Sequence, residues 1–196
     1  MKFLLALTAV AVTAALAAPT AEDAPQSQGL LNVLFPNYLV PIYQANPDTA
    51  YPTQYEGDVS YTPGVANEVR LLVGFDVPAN SGTRCLIKFR LEPKTPWGYD
   101  WTVTGTGKLD VWALTSIIQN GVTTWNSKPA RTSVNPLFKI VQPLQGGDAA
   151  VWGAVIPCNG GQRMDFEVAA TRPGATTFNW FELDYPKSGI TMNMYT

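Results

Sequence analysis

Two neighbouring runs of strict alternation constrain this chain more than any other feature. In NEVRLLVGFDV, Val69, Leu71, Val73, Phe75 and Val77 fall on one side, with Glu68, Arg70 and Asp76 on the other. In TRCLIKFRLE, Cys85, Ile87, Phe89 and Leu91 oppose Arg84, Lys88, Arg90 and Glu92. A period of two sends successive side chains to opposite faces of a strand, so each run predicts one buried and one solvated face. Between them lies PANSG, a turn signal of the kind that closes a hairpin.

The same reading extends along the chain. RMDFEVAA sets Met164, Phe166 and Val168 against Asp165 and Glu167. Further strands are expected in YDWTVTG, KLDVWALT, LFKIVQP, AAVWGAVIPC, TTFNWFELDY and GITMNMY, each set off by Gly, Pro, Asn or Asp. No stretch has helical spacing. VWALTSIIQ comes nearest, and its β-branched and aromatic content favours strand. With 16 prolines and 16 glycines between short strands, the expected fold is all-β. It is an antiparallel two-sheet β-sandwich, of which a jelly-roll-like arrangement is one form.

The N-terminus reads as a secretory leader. Lys2 precedes the apolar run FLLALTAVAVTAALA, with small residues at Ala15 and Ala17. A membrane-spanning helix takes about 20 apolar residues, more than this run offers. The expected organisation is a signal peptide over residues 1–17, a flexible Ala/Pro/Gln-rich leader over 18–30 and a single domain over 31–196. The C-terminal SGITMNMYT has no hydrophobic tail of the GPI-anchor type. The expected location is outside the cell or in the cell wall, with no membrane association after cleavage. An exported chain with two cysteines, Cys85 and Cys158, is expected to join them in one disulfide. Cys85 faces inward, which leaves a bridge across the sheets and one along a sheet edge both open.

Histidine is absent from the sequence. That removes Ser-His-Asp and Cys-His catalysis and His-based zinc or copper sites. The 13 basic and 15 acidic side chains are mixed along the chain, without a basic cluster to follow a phosphate backbone, so nucleic acid is not an expected partner. An enzyme here would depend on carboxylates. Asp165 and Glu167, like Glu182 and Asp184, are two apart on a strand and share a face. Such pairs meet the separation that glycosidases use. The plainer expectation is that both pairs lie on the wet faces of half-buried strands. The turns NPDT and GGD each bring one carboxylate, too few for calcium. Asp48 is expected to hold its own Asn-Pro-Asp turn. No catalytic residue, metal or cofactor is assigned.

Four segments occur in order: LFPNYLVPIYQANPDTAYPTQYEGDVSY, FDVPANSGTRCLIKFRLE, IPCNGGQRMDFEV and FNWFELDYPKSGITMNMY. Together they resemble the fungal ubiquitin-binding-protein But C-terminal domain family over about residues 31–196. The most specific pieces are the Pro-Asp-Thr-Ala-Tyr turn and the two cysteine contexts. The resemblance implies a β-rich domain, mostly secreted or cell-surface in its members, and supplies no established catalytic residues.

Aromatic side chains make the better case for binding. Trp97, Tyr99 and Trp101 lie in PWGYDW, and Trp125 lies in TTWNS. Flat rings suit the apolar faces of sugars. Trp101 and Trp152 are expected in the core; Trp97, Tyr99 and Trp125 are candidates for a ligand surface. Tyr43 and Tyr51 flank the bend at Asn46–Asp48 and are expected to form a small aromatic pair. In that segment Pro41–Tyr43 ends one strand and residues 53–61 form the next. The expected function is a non-enzymatic extracellular protein that binds a cell-wall glycan or an extracellular protein. The alternative is a carboxylate-dependent glycan-active enzyme.

Overall fold

The computed structural model describes residues 29–93 and 100–196. The expected signal peptide, the leader up to residue 28, and Trp97 and Tyr99 lie outside the described residues. Among the described residues the regular structure is all strand. In chain order the elements are β1 Leu30–Leu34, β2 Tyr38–Tyr43, β3 Glu56–Tyr61, β4 Val69–Asp76, β5 Arg84–Leu91, β6 Thr102–Gly105 and β7 Lys108–Ala113. They continue with β8 Phe138–Val141, β9 Gly147–Asp148, β10 Ala150–Gly153, β11 Ile156–Pro157, β12 Arg163–Ala170, β13 Thr176–Phe181 and β14 Gly189–Tyr195.

These strands form the two antiparallel sheets of a sandwich. The smaller runs β1-β14-β5-β11, with β9 also on β5; the larger runs β10-β8-β7-β12-β4-β3-β13-β6, with β2 on β4. The alternating runs face inward as their period requires. Leu71, Val73 and Phe75 of β4 meet Ile87, Phe89 and Leu91 of β5 in one core. Phe166, Phe178, Trp180 and Met192 complete it. Each such side chain, fully buried, contributes roughly 1.5–3 kcal/mol.

PANSG does not close a hairpin. Both edges of β4 are already paired, with β12 along Leu71–Asp76 and with β2 along Val69–Gly74. β5 instead pairs with β14 from Arg84 to Arg90. The turn therefore carries the chain from one sheet to the other, which local turn chemistry does not distinguish from a hairpin.

The disulfide is formed between Cys85 and Cys158, 73 residues apart, with Cα atoms 5.2 Å apart. Ile156 of the short strand β11 pairs with Cys85, so the bridge runs along a sheet edge. Closing a loop of that length removes about 4 kcal/mol of denatured-state entropy in the chain-entropy model.

Trp101 is buried as expected and donates its Nε1–H to the Glu92 carbonyl at 2.6 Å. Trp152 is not in the core: it is 48% exposed. Its strand β10 is the edge of the larger sheet, and the register sets Trp152 opposite the exposed Lys139 while Val151 and Ile140 point inward.

Candidate functional site

The outer face of the larger sheet holds the first surprise in its acidic side chains. Glu68, Asp165 and Glu167 do not lie on a wet face; all three are buried. The chain between β7 and β8 covers them, seating Ile118 in a small second core with Val40, Ile42 and Leu72. Desolvated charges persist only with partners, and here arginines supply them. Arg70 forks onto Glu68 through Nε and Nη2, both at 3.0 Å, and donates Nη1 to Glu167 at 2.8 Å. Arg131 donates to the same Glu167 oxygen at 2.8 Å, and Arg172 to Glu68 at 2.6 Å. Asp165 accepts from the Ile118 amide and from Arg163 Nε, each at 3.0 Å.

These environments separate the two neighbours electrostatically. Burial pushes Asp165 above the ordinary carboxyl range, and the Ile118 amide and Arg163 only partly oppose it. Burial also acts upward on Glu167, but Arg131 and Arg70 outweigh it and hold that carboxyl below its ordinary range. The pair ties the covering segment to the sheet, Asp165 through the Ile118 amide and Glu167 through Arg131.

The aromatic candidates divide. Tyr43 and Tyr51 do meet across the bend, with ring centroids 4.8 Å apart and planes tilted by 59°. Trp125 is half-buried against the second core, with Arg70 4.5 Å and Lys128 Nζ 4.7 Å from its ring centroid. Its π-surface already serves cations of its own chain. Asp48 does not close its own turn, which is held by backbone bonds from Asn46 to Tyr43 and from Thr49 to Asn46. Its carboxylate instead accepts from Asn126 Nδ2 at 2.8 Å, tying the bend to the covering segment.

The second place is a groove of about 420 Å³ where the turn before β2, residues 53–55 and residues 182–184 converge. Backbone pairing builds it. The Gln54 amide donates to the Leu39 carbonyl, and the Glu182 amide to the Tyr55 carbonyl, both at 2.8 Å. The Leu39 amide donates to Thr53 Oγ1 at 2.9 Å. Asn37 Oδ1 accepts from the Asp76 amide at 2.8 Å, which fixes the rim. Tyr55 is 79% exposed yet held, its ring stacked on Phe181 with centroids 6.3 Å apart.

Glu182 is half-buried at the floor of this groove, with its carboxyl turned inward. Its Oε2 accepts from Trp180 Nε1 at 2.9 Å and from the Ile190 amide at 3.1 Å. Its Oε1 is buried with no partner among the described residues. Burial pushes its pKa up to about 8, against the opposing pull of those two bonds. Asp184, two residues on, is exposed and lines the same groove. The expectation that both members of this pair are solvated therefore holds for Asp184 alone. Alternation along the strand fixes their common side but not the depth at which Gly189 and Ile190 close over Glu182.

The groove offers the rings of Phe35 and Tyr55, two side-chain amides, a hydroxyl and the carboxyls of Glu182 and Asp184, a set suited to binding a polar, uncharged molecule. Tyr55 and Asn37 were not legible as site residues, because their partners Phe181 and Asp76 are distant in sequence. Among the described residues no three acidic or cysteine side chains gather as a metal site. The family model described as Ubiquitin 3 binding protein But2 C-terminal domain matches residues 34–186. No curated protein matches the chain.

Proposed function

The chain belongs to the But2 C-terminal domain family, and on that footing we propose that it is an exported, non-enzymatic domain that acts by binding in the extracellular matrix or cell wall. The signal-peptide composition of residues 1–17 supports export. The observation that carries the binding reading is the contrast within one groove: Tyr55 stands open above it, and the acid with the raised pKa has its Oε1 turned away from solvent below. A preformed groove with a fixed ring and a few polar groups is the ordinary form of a small-ligand site.

A carboxylate-dependent glycan-active enzyme is the second reading, because Glu182 and Asp184 line the same groove. A general acid must come within hydrogen-bond reach of the oxygen it protonates. Glu182 Oε1 has no accessible surface from which to do so, and this favours binding. The family description names a ubiquitin 3 binding protein, so a protein partner belongs among the alternatives tested.

Full-length protein and a form lacking residues 1–17 are compared for secretion; export only of the former is expected. The purified secreted protein is then applied to insoluble chitin, β-glucan, cellulose and ubiquitin-coated beads. Retention on a polysaccharide is expected. Retention on ubiquitin alone would replace the matrix reading with a protein-binding one. Release of reducing ends from a polymer, abolished in Glu182→Gln, would establish the enzyme instead.

A further inference from the structure

Resting on that reading, we propose that the groove beside Tyr55 is a subsite for a neutral saccharide. The sugar's apolar face lies on the Tyr55 ring, and its hydroxyls bond to Asn37, Thr53, Gln54 and Asp184.

Size and rigidity come first. The groove's volume of about 420 Å³ lies within the roughly 300–1,000 Å³ typical of small-molecule sites. Its ring is preorganised by the stack on Phe181 and by the backbone bond from Glu182, so little freedom is lost on binding. Because Tyr55 is 79% exposed, a flat apolar ligand face gains contact area there that the fold itself does not use.

Hydrogen-bonding capacity comes next. Asn37 Oδ1 is occupied by the Asp76 amide, which leaves its two N–H donors. Gln54 Nε2 donates to the Pro52 carbonyl, leaving Oε1 as an acceptor. Thr53 Oγ1 accepts from Leu39 and keeps its hydroxyl proton to donate. The lining therefore offers both donors and acceptors, and a sugar hydroxyl, which is both, matches either kind.

Charge then selects the class. Among the described residues no lysine or arginine lines the groove, so an anionic sugar would meet Asp184 without compensation. Glu182, kept unionised by burial at neutral pH, adds no second negative charge to draw a cation. This balance of charge and hydrogen-bonding groups, with an open ring beside them, matches a neutral saccharide.

The test is calorimetric titration of the secreted protein with soluble neutral oligomers of β-glucan, chitin and cellulose, an oligogalacturonate and an oligolysine peptide. Saturable binding of a neutral oligomer is expected. Tyr55→Ala should weaken it about tenfold, as removal of one stacked apolar face implies, whereas Tyr55→Phe should keep it. Asn37→Asp retains the acceptor for the Asp76 amide but removes the donors, and should also weaken binding. Trp125→Ala and Trp152→Ala should leave it unchanged. Unchanged thermal melting of Tyr55→Ala confirms that the exposed ring is not needed for folding. If the parent is retained on a polymer but Tyr55→Ala and Asn37→Asp are retained equally, the groove is not the site, and the matrix-binding reading stands without it. If oligogalacturonate or oligolysine binds more tightly than every neutral oligomer, the ligand class is wrong. If neither polymer nor oligomer is bound, both readings fall.

Discussion

Glu182 and Glu167 are both glutamates on strand-like chain, yet opposite environments give them opposite behaviour. Glu182 accepts only from neutral donors and is pushed up to about 8 by burial. Its folded-state pKa therefore stands above the unfolded one, so the stability it contributes is fully present in acid and is lost as pH rises from the ordinary carboxyl range through about 8. The loss reaches on the order of 5 kcal/mol by linkage. Glu182→Gln keeps an oxygen for Trp180 and Ile190 and cannot ionise. Urea unfolding should show the variant near the parent at pH 5 and clearly more stable at pH 9; equal pH slopes for both would refute the assignment. Glu167 has the reverse sign: arginines hold it below its ordinary range against burial, so its contribution is present at neutral pH and is lost on acidification. Glu167→Ala removes the oxygen that both guanidiniums share, leaving Arg131 its contact with the Trp112 ring and Arg70 its fork on Glu68. Breaking a buried pair in this way should cost about 3–5 kcal/mol at neutral pH.

At the scale of elements, packing decides details that alternation leaves open. Gly57 of β3 sits directly opposite Trp180 of β13 in the register. A Cβ at Gly57 would collide with the Trp180 indole, which is 1% exposed and has no room to retreat. Gly57→Ala should therefore destabilise by about 1–3 kcal/mol, the usual cost of overpacking; a smaller loss in urea unfolding would mean that the indole can shift. The one-in, one-out periodicity of β4, β5, β12 and β14 was legible because hydrophobic residues recur at every second position. The fate of the outward face was not. Polar residues there predict water, but the segment after β7 brings Ile118, Trp125 and Arg131 over them. A loop that does not alternate carries no mark of the face it will cover.

For the whole molecule, the bond between Cys85 and Cys158 ties β5 of the smaller sheet to the chain that enters β12. Replacing both cysteines with serine should lower stability by about 4 kcal/mol, and reduction of the native protein should lower its thermal midpoint correspondingly. A loss well under 1 kcal/mol would indicate a denatured state already restricted without the bridge.

The chain's alternation, its turn residues and its two cysteines determined by themselves an all-β sandwich with one disulfide and a family resemblance. These are short-range signals: side chains two apart share a face whatever lies beyond them. Only the tertiary structure decided that PANSG crosses between sheets, that Glu68, Asp165 and Glu167 are enclosed with arginines, that Trp152 stands outside and that Tyr55 heads a groove. Each of those outcomes depends on residues far apart in sequence, and the burial of a charge or the exposure of a ring is set by what the fold places over it.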